Sequence, residues 1–255
     1  MEEEGAGWRL RMADADWNNP VSLPVTSMTP GLPTIWSPDG ARIALTSSIR
    51  GLASAVVIPS TGATPEDLVW LAPEAAISIP VAWHPDGDRV VYYATAEGGT
   101  LTTFTRSLST GETKPLIPGE TRPVVGGWSP DGSRIAFSVT DGARSTIWVA
   151  DGDGSNQRAL TDEGFESLPF STGDFGWSPD GREIVYESRR TGTSDLWIVS
   201  VDSGAPRQLT RDVRNDHSPA WSPDGGSIAF LSDRGRQTDI WVVSRADGTE
   251  RRVTD

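Results

Sequence analysis

The sequence predicts an all-β protein of repeated four-stranded units, on two observations. First, a Trp-Ser-Pro-Asp-Gly pentapeptide begins at Trp36, Trp128, Trp177 and Trp221, and a Trp-His-Pro-Asp-Gly variant begins at Trp83, at intervals of 44 to 49 residues. Second, each pentapeptide is followed by short apolar segments that Gly, Pro and Asp interrupt, as is typical of strands. Five copies at such regular spacing indicate a repeat architecture.

Each repeat contains the same series of segments. An apolar run follows every pentapeptide, such as RIAFSV from Arg134 or SIAFLS from Ser227. A second run follows, such as DIWVVS from Asp239, and a short segment such as RRVT from Arg251 closes the unit. Four strands in about 45 residues is the size of a β-propeller blade. The middle strands are apolar on both faces, as expected where neighbouring blades cover them.

The weaker copies keep the same register. Phe104 aligns with Trp241, and Leu116 aligns with Val253. In the first repeat we place Val56 and Leu68 at these two positions. The alternative for the second of them is a short helix starting at Thr64-Pro65-Glu66-Asp67, since Thr is a good cap and Pro suits the first helical position.

The pentapeptide itself predicts a tight turn between two strands. Trp ends the inner strand, Pro sets the backbone angle of the second turn position, Asp bonds nearby backbone, and Gly adopts a left-handed conformation. The most conspicuous motif is therefore structural rather than catalytic. His84, which replaces Ser in one copy, is expected to be a solvent-exposed turn residue.

The unit from Pro219 to Asp255 resembles the WD-like repeat of the bacterial TolB-like propeller family. This resemblance implies six four-stranded blades and, by analogy, an exported protein, although no export signal occurs here and the compartment stays undetermined. Similar repeats occur in propellers attached to prolyl oligopeptidase-like peptidases and in oligogalacturonate lyases. The resemblance therefore implies a fold more strongly than a function.

The predicted domain organisation is a disordered tail over residues 1–7 and a β-propeller over residues 8–255, beginning with an outer half blade at 8–26. The sequence stops at Asp255, where a further inner strand would begin. Two interpretations remain open: part of a longer chain, or a short ring of five complete blades and a hairpin. Strand exchange between two copies is a third, because open sheet edges favour pairing.

Composition excludes several function classes. The net charge of -13 argues against nucleic acid and anionic membranes. With no Cys, no run of about 18 apolar residues and no nucleophile-elbow, Walker or zinc-protease motif, we predict no catalytic, cofactor-binding or metal-binding residues and no membrane insertion. The Asp151-Gly152-Asp153-Gly154 segment lacks the remaining calcium-loop residues and is interpreted as a turn.

The candidate binding face lies at the predicted channel mouth, where the loops between second and third strands meet the connections between repeats. A long connection from Thr161 to Asp174 could also contact a protein partner or tuck into the core. The candidate partner-binding residues are Asp216, His217, Asp174, Arg189, Arg190, Arg234, Phe165 and Phe170, together with Asp233 and Arg236.

Three functional hypotheses follow. The first is a non-catalytic scaffold that binds a protein or peptide at this face, as the resemblance to the TolB propeller implies. The second is the substrate-gating propeller of a longer prolyl oligopeptidase-like hydrolase. The third is a metal-dependent lyase, which two histidines in the whole chain make a poor hypothesis.

Overall fold

The computed structural model describes residues 2–4, 7–9, 11–13, 16, 21–22, 32–49, 52–61, 65–96, 98–117, 123–141, 144–161, 175–235 and 237–254. It divides into two compact units, an N-terminal unit (Met1–Thr121) and a C-terminal unit (Arg122–Asp255).

The N-terminal unit begins with two short hairpins. β1 (Glu2–Glu4) pairs with β2 (Gly7–Arg9), and β3 (Arg11–Met12) pairs with β4 (Val21–Ser22). The first hairpin includes residues 2–4 of the segment for which a disordered tail was predicted.

Two four-stranded antiparallel sheets complete the N-terminal unit. Blade 1 consists of β5 (Ile35–Trp36), β6 (Arg42–Ile49), β7 (Leu52–Pro59) and β8 (Val69–Trp70), with a 3-10 turn at Pro65–Asp67 before β8. Blade 2 consists of β9 (Ser78–Trp83), β10 (Arg89–Thr95), β11 (Leu101–Ser107) and β12 (Thr113–Pro115).

Three further sheets of the same kind form the C-terminal unit. Blade 3 consists of β13 (Val124–Trp128), β14 (Arg134–Asp141), β15 (Arg144–Asp151) and β16 (Arg158–Ala159). Blade 4 consists of β17 (Phe175–Trp177), β18 (Glu183–Ser188), β19 (Asp195–Ser200) and β20 (Pro206–Gln208). Blade 5 consists of β21 (Asp216–Trp221), β22 (Ser227–Ser232), β23 (Asp239–Ser244) and β24 (Glu250–Arg252). The predicted four-stranded blades are confirmed.

The pentapeptide forms the turn between the first two strands of each blade. In blade 4, Ser178 Oγ donates to Asp180 Oδ1 at 2.6 Å and accepts the Glu183 amide at 2.9 Å. The Gly181 amide donates to the Ser178 carbonyl, and Gly181 has a φ of 69°. Since φ is positive there, any side chain would strain the backbone. The predicted turn is confirmed.

His84 departs from its expected exposure. Its side chain is only 7% exposed. Its Nδ1 accepts the Asp86 amide at 3.1 Å, whereas Ser178 accepts the amide five residues further on. The Arg89 guanidinium lies 2.7 Å from Nε2 of His84. The prediction of an exposed residue was wrong because the larger ring is covered by the neighbouring arginine.

The closing Leu-Thr of the repeats has a structural function that sequence reasoning missed. Thr161 Oγ1 accepts the Ile147 amide and Thr210 Oγ1 accepts the Leu196 amide, each at 3.0 Å. Both hydroxyls are buried, and they extend the backbone ladder by one hydrogen bond beyond the fourth strand.

Blade 1 corrects one register. The amide of Leu71 donates to the Ala55 carbonyl, as that of Leu209 does to Leu196. Leu71 is therefore the equivalent of Leu209, and the placement of Leu68 there was wrong by three residues. The residues directly before Leu68 form a 3-10 turn at Pro65–Asp67, because proline is favoured at the first position of a helical turn.

Candidate functional site

Three loops meet at one end of blades 4 and 5. The Asp216 amide donates to the Ser194 carbonyl at 2.7 Å, and the Ser194 amide donates to Asn215 Oδ1 at 3.2 Å. The Asp233 amide donates to the Asn215 carbonyl at 3.0 Å. We define the loop face as the described residues of 189–194, 210–218 and 233–235. The structure thus brings together the predicted Asp216, His217, Arg189, Arg190, Asp233 and Arg234.

The remaining predicted residues lie outside the described part of the chain. They are Phe165, Phe170, Asp174 and Arg236.

Arg234 is held in a network of carboxylates. Its Nη2 donates to Asp216 Oδ2 at 2.7 Å, its Nη1 donates to Glu250, and its Nε lies 3.6 Å from Asp212. Burial opposes the charged form, but the hydrogen bonds to Glu250 and Asp216 outweigh it and raise the pKa of Arg234. Arg234 therefore faces three carboxylates within the described chain, and these contacts hold its guanidinium at this end of blade 5.

Aromatic faces complete the arginine's surroundings. The Arg234 guanidinium lies 4.8 Å from the ring centroid of Trp241 and 5.7 Å from that of Phe230. In blade 4, Arg190 lies 4.4 Å from the ring centroid of Trp197. Such cation–π contacts fix the planes of both guanidinium groups.

Asp195 is a second buried carboxyl beside this network. Its Oδ2 accepts hydrogen bonds from Gln208 Nε2 at 3.0 Å and from Thr191. Burial raises the pKa of Asp195 above its ordinary value, and the charge of Asp216 raises it further. In the described structure, one carboxylate oxygen of Asp195 and one of Asp216 have no hydrogen-bond partner. The carboxyl group of Asp195 is therefore harder to ionise than that of an ordinary aspartate.

His217 and Ser218 are turned to the surface by a bulge. The ladder between β21 and β22 shifts register between His217 and Ala220, and Ser218 has a φ of 55°. The Ser218 amide donates to Glu187 Oε1 at 2.6 Å, which holds this left-handed residue in place. His217 Nδ1 lies 3.1 Å from Ser218 Oγ, while its Nε2 lies 3.9 Å from Asp233 Oδ1.

The connection between blades 4 and 5 carries residues that sequence reasoning missed. Val213 is 82% exposed, and Arg211 and Arg214 beside it are also exposed. Neither guanidinium makes a hydrogen bond or ion pair with the residues that the structure describes. An apolar residue between two arginines in an otherwise polar loop was the signal that could have identified them.

Within the described ranges, no group of three or more His, Cys, Asp or Glu side chains could hold a metal ion. The structure describes no helix with the length and hydropathy needed to cross a membrane. The described loop face combines exposed arginines, the exposed Val213 and the imidazole of His217 with the partly exposed carboxylates of Asp212 and Asp233.

Comparison with known proteins agrees with this architecture. Residues 163–255 match the model of the TolB beta propeller domain family. The Tol-Pal system protein TolB of Anaeromyxobacter dehalogenans (strain 2CP-C) is 36% identical over 93 residues, which cover 36% of this chain and 21% of that protein. The chain thus spans about a fifth of the length of this relative.

Two solved structures share the fold. The putative TolB of Agrobacterium tumefaciens is 22% identical with a TM-score of 0.67, and the match covers 88% of this chain and 81% of that one. A puromycin hydrolase is 16% identical with a TM-score of 0.70, over 92% of this chain and 40% of that one.

The fold and the repeats define a β-propeller protein with four-stranded blades. More narrowly, residues 163–255 are similar to the TolB beta propeller domain family, and this match confirms the predicted resemblance.

Proposed function

We propose that this chain is a non-catalytic scaffold that binds a protein or peptide on the loop face, and that the bound segment is acidic and contains an apolar side chain. The exposed Val213 between Arg211 and Arg214 carries the proposal. An aliphatic side chain that is almost wholly exposed gains free energy when a partner covers it. The flanking guanidinium groups suit carboxylates, with which they form paired hydrogen bonds.

The setting of these residues supports the same partner. The loop is anchored, because Thr193 Oγ1 donates to the Asp212 carbonyl and Arg214 donates its amide to Asp212 Oδ1 at 3.0 Å. An anchored loop loses less conformational entropy on binding than a free one. The chain has a net charge of -13, which repels acidic segments. The exposed arginines of the loop face reduce that repulsion locally, so an acidic segment can bind there.

The test begins with peptides selected from a random display library on the immobilised protein. We expect the enriched peptides to carry Asp or Glu beside Leu, Ile or Phe. Charge reversal of both Arg211→Glu and Arg214→Glu should weaken their binding by about ten-fold or more, since each exposed ion pair contributes about 0.2–1 kcal/mol and reversal adds repulsion.

Arg182→Glu is the matched control. Arg182 is also exposed but lies beside the Ser-Pro-Asp-Gly turn of blade 4, at the β17–β18 connection. Titration calorimetry of the selected peptides should give unchanged affinity for this variant. Peptides that bind all variants alike would refute the loop face as the binding site, as would enrichment of basic sequences.

The second candidate function is substrate gating in a longer hydrolase. The likeness to puromycin hydrolase, of which this chain matches 40%, favours it. The intact mass of the protein isolated from its source tests this directly. A mass well above 27.3 kDa with a hydrolase sequence beyond Asp255 is expected from this function, and a mass of 27.3 kDa would contradict it.

A further inference from the structure

Blades 4 and 5 each hold a guanidinium group on an aromatic ring. In blade 5, Arg234 lies 5.7 Å from the ring centroid of Phe230 and 4.8 Å from that of Trp241. In blade 4, Arg190 lies 4.4 Å from the ring centroid of Trp197. The carboxylates around the blade 5 arginine are those of Asp216, Asp212 and Glu250. In both blades an arginine that follows the second strand therefore covers the aromatic side chain of the third.

Blade 2 keeps the aromatic side chains of this arrangement but lacks the arginine. Its aromatic pair is Tyr92 and Phe104, whose rings are stacked with centroids 5.8 Å apart. The strand pairing aligns these two residues with the aromatic pair of blade 5. The same alignment puts Ala96 at the position of Arg234. A methyl group therefore stands where blades 4 and 5 have a guanidinium-bearing side chain.

A cavity of about 600 Å³ adjoins this position. It lies within the N-terminal unit, between the connection that follows blade 1 and strands β10, β11 and β12 of blade 2. Tyr92, Ala96 and Phe104 line it, and the connection contributes only short apolar side chains at Ala72, Ala75 and Ala76. Its volume lies in the range of small-ligand sites and exceeds that of one arginine side chain.

The polar groups around the cavity suit a single cation. Glu74 lines the cavity and aligns with Asp212, the carboxylate that lies 3.6 Å from the arginine of blade 5. Glu74 is exposed and forms no hydrogen bond or ion pair with the residues that the structure describes. Thr113 also lines the cavity in the place of Glu250, and its hydroxyl accepts a 3.4 Å hydrogen bond from Arg106, which is not a lining residue. One carboxylate beside two aromatic rings matches one positive charge.

We propose that this cavity of the N-terminal unit binds an alkylguanidinium group, which is the chemistry of an arginine side chain. The guanidinium covers the ring of Phe104, as the arginines of blades 4 and 5 cover the corresponding tryptophans. Its N–H groups donate to the carboxylate of Glu74 and to the hydroxyl of Thr113. The alkyl chain contacts the alanines of the connection, and the ligand thus supplies the side chain that Ala96 lacks.

The test titrates the full chain with n-butylguanidinium and measures binding by saturation-transfer difference NMR. We expect saturable one-to-one binding. The neutral n-butylurea has nearly the same shape and should bind at least about ten-fold more weakly, because the cation–π contact and the ion pair are lost. n-Butylammonium should bind about three-fold more weakly, since an ammonium group cannot form paired hydrogen bonds with a carboxylate.

A third ligand separates the two sources of this group. The tripeptide Gly-Arg-Gly carries the same group on a polypeptide backbone. Binding of the tripeptide at least as tight as that of n-butylguanidinium supports the arginine side chain of a partner peptide as the occupant. Binding of n-butylguanidinium alone supports a free small guanidinium compound.

Protein variants locate the site. Ala96→Arg supplies the missing arginine from within the chain and should abolish binding of n-butylguanidinium. Glu74→Gln should weaken binding about five-fold by removing the ion pair. Since Glu74 is exposed and unpaired in the described chain, this variant keeps the fold even if Ala96→Arg does not. Glu66→Gln is the matched control, because Glu66 is an exposed glutamate of the same unit outside the cavity, and its affinity should be unchanged.

Three results would overturn the proposal. The first is the absence of n-butylguanidinium binding to the unaltered chain. The second is equal binding of n-butylurea, because the cavity would then select for shape rather than for charge. The third is binding of n-butylguanidinium that neither Ala96→Arg nor Glu74→Gln alters, because the ligand would then lie elsewhere.

Discussion

Replacement of Thr210 by Val tests the hydrogen-bonding role of the closing Leu-Thr. The Thr210 hydroxyl is fully buried and accepts the Leu196 amide at 3.0 Å. Valine fills nearly the same volume but cannot accept, so the buried amide of Leu196 loses its partner. An unsatisfied buried donor costs about 1–3 kcal/mol. We expect the free energy of unfolding to fall by about 2 kcal/mol.

The assay is urea denaturation, followed by tryptophan fluorescence and far-UV circular dichroism. Thr254→Val is the comparison variant, because Thr254 Oγ1 accepts the Ile240 amide at 3.1 Å in the more exposed blade 5, where it also donates to Asp239 Oδ1 at 3.0 Å. Water can replace the hydroxyl there, so we expect a loss below about 1 kcal/mol. Equal losses in the two variants, or no loss in Thr210→Val, would refute the reasoning.

Three further predictions concern the C-terminal unit. Gly126→Ala should destabilise the chain by about 1–3 kcal/mol in urea denaturation, because its Cβ would lie 2.1 Å from the buried Phe175 ring; no change would contradict this packing. Arg234→Met should cost about 3–5 kcal/mol by leaving Asp216 buried without its cation, and a neutral effect would show that the network contributes little. Asp195→Asn should be more stable relative to wild type at neutral pH than in acid. Because the pKa of Asp195 is raised in the folded state, its charged carboxylate destabilises folded wild type at neutral pH. As pH falls through that folded pKa the carboxylate is protonated, so the advantage of Asn shrinks, and it is lost below the unfolded value of 3.8. A difference that does not vary with pH would contradict this.

The predictable part of the fold follows from local chemistry. The turn at Ser178, Asp180 and Gly181 was predictable because its hydrogen bonds join residues at most five positions apart. The equivalence of Phe104 with Trp241 was predictable from the repeat and is confirmed by their pairing with Pro115 and Arg252.

The errors arise where a neighbour in space decides the outcome. His84 was expected to be exposed, but Arg89 covers its ring. Leu68 was placed three residues away from the true equivalent, because blade 1 inserts a 3-10 turn that the repeat pattern does not show.

The candidate site shows the same division. The repeat pattern predicted that Asp216 and Arg234 lie on one face. It could not show that the two side chains form a hydrogen bond of 2.7 Å with each other. Nor could it show that Val213 is left uncovered, because exposure depends on how the connection between blades 4 and 5 lies on both blades.

Hydrogen–deuterium exchange with and without a selected acidic peptide tests the central claim most directly. Binding at the loop face predicts slower exchange at amides of residues 189–194 and 210–218, with no change at the Ser-Pro-Asp-Gly turns. The Arg211→Glu and Arg214→Glu double variant should show no slowing at the same peptide concentration. Protection confined to the turns, or protection at 210–218 that survives the double variant, would contradict the account.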